Sequence, residues 1–360
     1  MSRYRIAVIP GDGVGVEVVA EGIKVLEATA KVVEGLGFKF TSFGWGSEFY
    51  LRHGQMMPSD ALDVLRDFDA IYLGAMGDPR IPDHITLEAL LSIRRGFDQY
   101  ICLRPAYLYP GVPTPLAGKK PGAIDMVVIR ENTEGEYADV GGRIYRGTEA
   151  EVAVQAGVFT RRGTERVIRY AFELARSLNK KKRVTSVTKS NAMRHSMVMW
   201  DWVFRAVAQE YPDIESGSLL VDAACMNFVR KPETFDVVVA SNLFGDILTD
   251  LSAAIVGSMG LAPSANLNPE RRFPSMFEPV HGSAPDIAGK GIVNPLAAIL
   301  TAGMMLEFLG EARAAASVKQ AVEKVLVEAE VRTPDLGGSS KTSQVGEAVV
   351  SKVAELDREG

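Results

Sequence analysis

The stretch Val237-Val238-Val239-Ala240-Ser241-Asn242-Leu243-Phe244-Gly245-Asp246-Ile247-Leu248-Thr249-Asp250 decides the reading of this chain. Its first four residues read as a buried strand, Ser241 to Gly245 as a strand-to-helix turn, and the rest as helix, because Leu251 to Gly260 is almost wholly apolar or small. On that helix Asp246 and Asp250 share one face, one turn apart. Like charges at this spacing repel, so something positive must sit between them. A hard divalent cation such as Mg2+ or Mn2+, which prefers oxygen ligands, suits the place. Two solvated carboxylates are the commoner reason for such a spacing, but these flanks are not surface-like. Helix starts at the carboxyl ends of strands are where open α/β sheets bind ligands.

Outward from this stretch, short apolar runs alternate with helical periodicity. Strands are expected at Arg5 to Pro10, Phe38 to Phe43, Ala70 to Gly74, Ile101 to Leu108, Ile124 to Glu131, Arg183 to Thr188, Leu219 to Asp222 and Phe235 to Ser241. Val167, Ile168, Ala171, Leu174, Ala175 and Leu178 keep one helical face apolar. This alternation predicts an α/β fold with a mostly parallel sheet flanked by helices. It breaks twice. Residues 139–160 suggest an antiparallel hairpin or arm with a turn at Gly141-Gly142, and Leu261 to Pro285, rich in Pro and Asn, reads as a long functional loop.

With 360 residues the chain has room for two domains, and its 47% hydrophobic and 24% charged content is that of a globular protein. A formal charge of -5 argues against nucleic acid or an anionic membrane as partner. The basic run Lys180-Lys181-Lys182-Arg183 reads as cations at a helix C-terminus. Cys102 and Cys225 lie in apolar stretches without metal-ligand spacing, which predicts reduced core thiols and a cytoplasmic location. No apolar run is long enough to span a membrane, and the amino terminus is too short for a signal peptide.

Arg94 ends a helical segment, Arg104 lies on a strand, and Arg130 ends another. Arginine within an apolar strand needs a counter-charge, because burying it alone is very costly. An internal salt bridge, for instance with Glu131, would supply one, and so would substrate carboxylates gripped by the guanidinium forks. Lys189 also ends a strand and is either a surface cation or a base whose pKa is lowered by neighbouring cations. Tyr137, seven residues beyond Arg130, is by default a structural aromatic. Ile9-Pro10-Gly11-Asp12-Gly13-Val14-Gly15 looks like a nucleotide loop but lacks G-x-G-x-x-G spacing, a following lysine and a ribose-binding acid near Phe43. Its glycines are read as serving a tight strand-to-helix turn.

Six motifs in order carry a resemblance: Pro10 to Gly15, Leu103-Arg104-Pro105, Arg130 to Tyr137, Thr188 to Asn191, Asn242 to Asp250 and Glu278 to Asp286. Together they resemble the metal-dependent β-decarboxylating dehydrogenases, the isocitrate/isopropylmalate dehydrogenase family. The similarity runs from about Arg5 to Gly346, and the phrases Phe97-Asp98-Gln99-Tyr100, Pro110-Gly111-Val112-Pro113 and Pro263 to Arg271 look most like the branch acting on tartrate and D-malate.

The resemblance implies a two-domain α/β fold of that type with a non-Rossmann NAD site. A discontinuous cofactor domain would comprise residues 1–100 and 251–360, and a dimerisation and substrate/metal domain residues 101–250 with the arm 139–160. It implies Mn2+ or Mg2+ on Asp246 and Asp250, joined by Asp222 from a neighbouring subunit, with K+ as an activator. Arg94, Arg104 and Arg130 would bind substrate carboxylates, Lys189 of the neighbour would help deprotonate the 2-hydroxyl, and Tyr137 would protonate the enol. NAD would bind on Glu278, His281, Gly282, Ser283, Ala284, Asp286 and Asn294, with Asp286 accepting from the adenosine ribose and disfavouring NADP. Asn294-Pro295 is also a good helix start, so capping competes with an adenine contact there. The partners implied are a small 2-hydroxy dicarboxylate and a second copy of the chain. Leu90 and Leu91, before Arg94, resemble the apolar lining for an alkyl group, so 3-isopropylmalate oxidation is the alternative. Isocitrate oxidation or a silent regulatory subunit follow further behind, the latter because the metal, base and acid positions are filled.

Overall fold

A computed structural model describes residues 2–359. Along the chain come β1 (Ser2–Gly11), α1 (Gly15–Val32), β2 (Leu36–Ser42), α2 (Ser47–His53), α3 (Ala61–Leu65), β3 (Ala70–Ala75), α4 (Asp83–Gly96) and β4 (Ile101–Tyr107). Next are β5 (Asp125–Glu131), β6 (Gly141–Ile144), β7 (Val152–Gln155), α5 (Arg161–Leu178), β8 (Arg183–Thr188), α6 (Ser196–Ala208), β9 (Glu215–Leu220) and α7 (Val221–Arg230). The last are β10 (Val237–Ala240), α8 (Asn242–Ile255), β11 (Ala265–Leu267), β12 (Ser275–Phe277), α9 (Leu296–Leu309), α10 (Ala312–Glu328) and α11 (Thr342–Glu359). No described helix is long and apolar enough to cross a membrane.

Two compact units result. One holds the chain up to Gln99, Pro105–Ile124 and the chain from Ala253 onward; the other holds Tyr100–Arg104 and Asp125–Ser252. In the first unit the strands run β2-β1-β3-β12-β11, parallel except for the last pair. Ile9, Leu65, Ile71, Ile93, Phe97 and Met276 belong to one of its apolar clusters, against which Leu90 also packs. Residues 105–124, expected in the second domain, fold here instead, tied by Arg332 donating to Gly111 O at 2.5 Å and Thr114 Oγ1 donating to Ile255 O at 2.6 Å. The region Leu261 to Pro285 is not loop throughout: β11 and β12 lie within it, and β12 pairs in parallel with β3.

In the second unit β5-β10-β8-β9 are parallel neighbours with β4 beside β5. Helix α5 starts where the Thr160 side chain accepts from Gly163 N, and buries Val167, Ile168, Ala171, Phe172 and Ala175. The hairpin β6-β7 forms as expected, but Gly141 and Gly142 lie inside β6 rather than at the turn. The chain reverses after Ile144, where Tyr145 and Gly147 take positive φ. The expected strand Leu219 to Asp222 is also shifted: β9 ends at Leu220, and Asp222 sits in the first turn of α7. An apolar run crossing a strand-helix border carries no mark of where the period changes.

Candidate active site

In the second unit α8 begins one residue after β10 ends, so the turn expected over Ser241 to Gly245 shrinks to Ser241, and Asp246 lies in the helix's second turn. Three partners converge on Asp246. The Tyr137 hydroxyl donates to Oδ2 at 2.6 Å, Arg130 Nη1 donates to Oδ1, and Arg104 Nη1 lies 3.6 Å from Oδ1. Arg104 is also 3.8 Å from Asp250 Oδ1. The structure thus joins Arg104, Arg130, Tyr137, Asp246 and Asp250, drawn from β4, β5, the loop after β5, and α8. The positive charge nearest the two acids is guanidinium.

Arg130 is fully buried, and its fork is aimed by Asn242, whose Oδ1 accepts from Nε at 2.9 Å and Nη2 at 2.7 Å. Gly245 makes that approach possible: a Cβ there would lie 2.6 Å from Arg130 Cβ. Thr249 Oγ1 accepts from Arg104 Nη1 at 2.6 Å while donating to Asp246 O at 2.9 Å. Glu136 caps α8 from outside the helix, Oε1 taking the Ser241 hydroxyl at 2.9 Å and Oε2 the Leu243 amide at 3.1 Å. Sequence reasoning singled out none of Asn242, Gly245, Thr249 and Glu136, although each lies inside a motif it quoted. Their roles depend on partners more than a hundred residues away, save for Thr249's bond within α8. Glu131, considered as a counter-ion for arginine, instead turns its carboxylate to Thr133 N, Thr133 Oγ1 and Glu134 N, each at 2.9 Å.

These contacts set the local charge. Burial first, then the Asp246 carboxylate, pushes Tyr137 up to about 12, so the phenol keeps its proton at neutral pH. Partial desolvation by the surrounding protein also raises Asp250, although its side chain is largely exposed, opposed by Arg104 and aided by Asp246. Among the described residues, Asp250 is paired by the 3.8 Å approach of Arg104, and its side chain is 62% exposed. A carboxylate with open lone pairs, one turn from a second one, fits a hard divalent cation. Among the described residues, no three His, Cys, Asp or Glu side chains gather for a metal, so Asp222 does not join the pair within one chain. Asp222 and Lys189 meet each other instead, Nζ to Oδ1 at 2.6 Å, and Lys189 holds the carboxyl below its usual range.

In the first unit Arg94 donates to Glu278 Oε1 at 2.6 Å, both side chains being buried, and Asn266 Nδ2 donates to the same oxygen at 2.8 Å. Arg94 and Glu278, expected at substrate and cofactor respectively, are therefore partners. The turn Pro10 to Gly15 carries no ligand geometry of its own. Asp12 accepts from Ser47 N, Ser47 Oγ and Gly77 N, and Val14 N donates to Ser283 O at 2.9 Å. Gly13 has φ +54°, and a Cβ on it would lie 2.0 Å from Ser283 O, so this turn buttresses the loop after Glu278.

That loop borders a cleft of about 360 Å3 lined by Val14, Met259, His281, Ala284, Ile287 and Asn294 among others. His281 Nδ1 is 3.0 Å from Gly282 O, its buried Nε2 makes no hydrogen bond among the described residues, and burial lowers its pKa, leaving a neutral ring. Asp286 and Gly282 are exposed, while Ser283 is buried. Asn294 Oδ1 accepts from Leu296 N at 3.0 Å and its Nδ2 donates to Asp335 at 2.9 Å, so it is committed to starting α9. An apolar cleft with one orphaned imidazole nitrogen suits a nucleoside.

A family model described as isocitrate/isopropylmalate dehydrogenase matches residues 5–349. The chain belongs to that family. Among isocitrate/isopropylmalate dehydrogenase relatives, a tartrate dehydrogenase/decarboxylase of Pseudomonas putida is 53% identical over 98% of this chain and 99% of its own. A D-malate dehydrogenase (decarboxylating) of Escherichia coli K12 is 54% identical over 97% of this chain and 98% of its own. The crystal structure of isocitrate dehydrogenase from Methylococcus capsulatus superposes with a TM-score of 0.88 at 37% identity, over 97% of this chain and 99% of that one. Family members are metal-dependent, nicotinamide-linked dehydrogenases, in keeping with the acids and the cleft.

Proposed function

We propose that the chain oxidises and decarboxylates D-malate or tartrate, using NAD and Mn2+ or Mg2+. The observation that carries this reading is the convergence of Arg104, Arg130 and Tyr137 on the Asp246/Asp250 pair. The names of the similar enzymes support the substrates. Asp246 and Asp250 would hold the cation, and His281 and Asp286 would border the adenosine of NAD. When bound, the cation supplies Lewis-acid polarisation of the substrate's 2-oxygen and NAD the hydride acceptor. The chain's own groups do the rest. Arg104 and Arg130 present fixed forks to a dicarboxylate. The partner subunit's Lys189 receives the 2-hydroxyl proton as hydride leaves C2. Once CO2 has departed from C3, Tyr137 returns a proton to that carbon.

The same reading makes the enzyme a homodimer with shared sites. Asp222 and Lys189 stay apart from Asp246 and Asp250 within one chain. The arm exposes Ile144, Val152 and Val154, although a lone two-stranded hairpin is marginal in water, and α7 and α8 expose Met226 and Ile247. Cys102 and Cys225 are free thiols, which fits a reducing cytoplasm, although Cys225 is only partly buried rather than a core residue. Leu90, partly buried, packs against an apolar cluster of its own unit, which favours a small polar substrate over an alkyl one.

Comparing kcat/KM for D-malate, the tartrates, 3-isopropylmalate and isocitrate, with and without K+, tests the substrate reading. D-malate should lead or nearly lead. A preference of more than about tenfold for isocitrate or 3-isopropylmalate, roughly 1.4 kcal/mol of transition-state binding, would move the enzyme to another branch.

A further inference from the structure

We propose that Glu136 is a positioning residue: it latches the loop after β5 onto the start of α8 and thereby fixes the Tyr137 hydroxyl against Asp246. The inference rests on the reading of Tyr137 as proton donor. Helix N-termini leave their first amides without partners and are usually capped by a side chain a few residues away in sequence. Here the cap on Leu243 N comes from a residue 107 positions earlier, and its second oxygen takes the Ser241 hydroxyl at 2.9 Å. An anion at this end of the helix is also favoured by the macrodipole.

Because Glu136 precedes Tyr137, the cap closes a ring. The ring runs from Tyr137 through Glu136 to Leu243, along α8 to Asp246, and back by the 2.6 Å bond from the phenol to Oδ2. The loop is also fastened before Glu136, and beyond Tyr137 by Gln155 Nε2 donating to Ala138 O at 2.7 Å. Asn242 Nδ2 donates to Glu134 O at 3.0 Å, and the Glu134 carboxylate takes Thr160 N at 2.9 Å and Thr160 Oγ1 at 2.7 Å. Gly135, with φ +78°, lets the loop lie flat on the helix start, since a Cβ there would sit 3.0 Å from Asn242 Cβ. Glu136 is the tie next to the phenol. Without it Asp246 keeps Arg130, so the cation and carboxylate contacts persist while the proton donor loses its aim.

The test compares Glu136→Ala and Glu136→Gln. A glutamine amide can accept from Leu243 N–H and donate to the Ser241 hydroxyl, so it should preserve the latch. Glu136→Ala should lower kcat for D-malate by about 10- to 100-fold, the scale of a misplacement near 1 Å. KM for D-malate and the Mn2+ requirement should stay within about threefold, since the ties to Arg130 and Asp250 remain. Glu136→Gln should restore most of kcat. In a Tyr137→Phe background Glu136→Ala should add little, because both changes remove the same step. Hydrogen exchange at the Leu243 amide, read without turnover, should quicken in Glu136→Ala and not in Glu136→Gln. Several results would overturn the proposal: unchanged exchange, unchanged kcat, a raised Mn2+ requirement, or a loss that multiplies that of Tyr137→Phe. Failure of the wild-type protein to oxidise D-malate would sink the functional reading, while Leu243 exchange would still report the latch.

Discussion

Glu278→Gln isolates the buried ion pair of the first unit. Gln keeps the shape and the acceptor but removes the charge facing Arg94, 2.6 Å away, and both side chains are under 8% exposed. Leaving one charge of a buried pair uncompensated costs about 3–5 kcal/mol, well above the 0–1 kcal/mol of a surface pair. For a unit of this size each kcal/mol is worth about 2–4 °C of melting temperature, so a loss of roughly 6–20 °C is expected. Scanning calorimetry on the purified protein provides the assay, and Arg94→Gln/Glu278→Gln the control. Removing both charges leaves no orphan, so the double variant should melt above Glu278→Gln alone. A single variant that melts with wild type would show the pair to be solvated and Arg94 held by other means. A double variant less stable than both singles would refute the argument from charge.

Three further outcomes follow. Asp250→Asn should raise the Mn2+ concentration needed for activity and lower turnover with little effect on melting, since Asp250 is 62% exposed with no close ion pair; unchanged metal dependence would mark it as an ordinary helix carboxylate. Gly245→Ala should cost about 1–3 kcal/mol of stability and lower kcat/KM, because its Cβ would meet Arg130 Cβ at 2.6 Å; a silent variant would mean that Arg130 can move aside freely. Asp286→Lys with Ile287→Tyr should weaken NAD use and improve NADP use by placing a cation in place of an exposed acid, and a coenzyme preference that does not shift would displace the ribose from this loop.

The parts of this molecule that the sequence made legible are those written in local period. Val237 to Asp250 carries strand, helix and paired acids within 14 residues, and α5 announces its buried face. Boundaries hidden inside uniform runs were harder, as at Leu219 to Asp222. Partners far apart in sequence were not legible at all. Arg94 and Glu278 are 184 positions apart, Arg130 and Asn242 are 112, and nothing near either arginine marks its partner. The return of residues 105–124 to the first unit is likewise set by contacts with Arg332, which no local pattern announces. The lysine run follows the C-terminus of a helix, as expected, and has partners beyond it. Asn179 ends α5 in the left-handed conformation, while Lys180 pairs with Asp125 and Lys181 binds the carbonyls of Glu233 and Phe235.

The central claim is that one site couples hydride loss to decarboxylation with the help of a cation held by Asp246 and Asp250. The direct measurement follows NADH and CO2 together as the purified protein acts on D-malate with Mn2+, before and after a chelator. Equal amounts of NADH, CO2 and pyruvate, all abolished by the chelator and restored by Mn2+, are the predicted result. NADH without CO2, or turnover indifferent to the chelator, would contradict it.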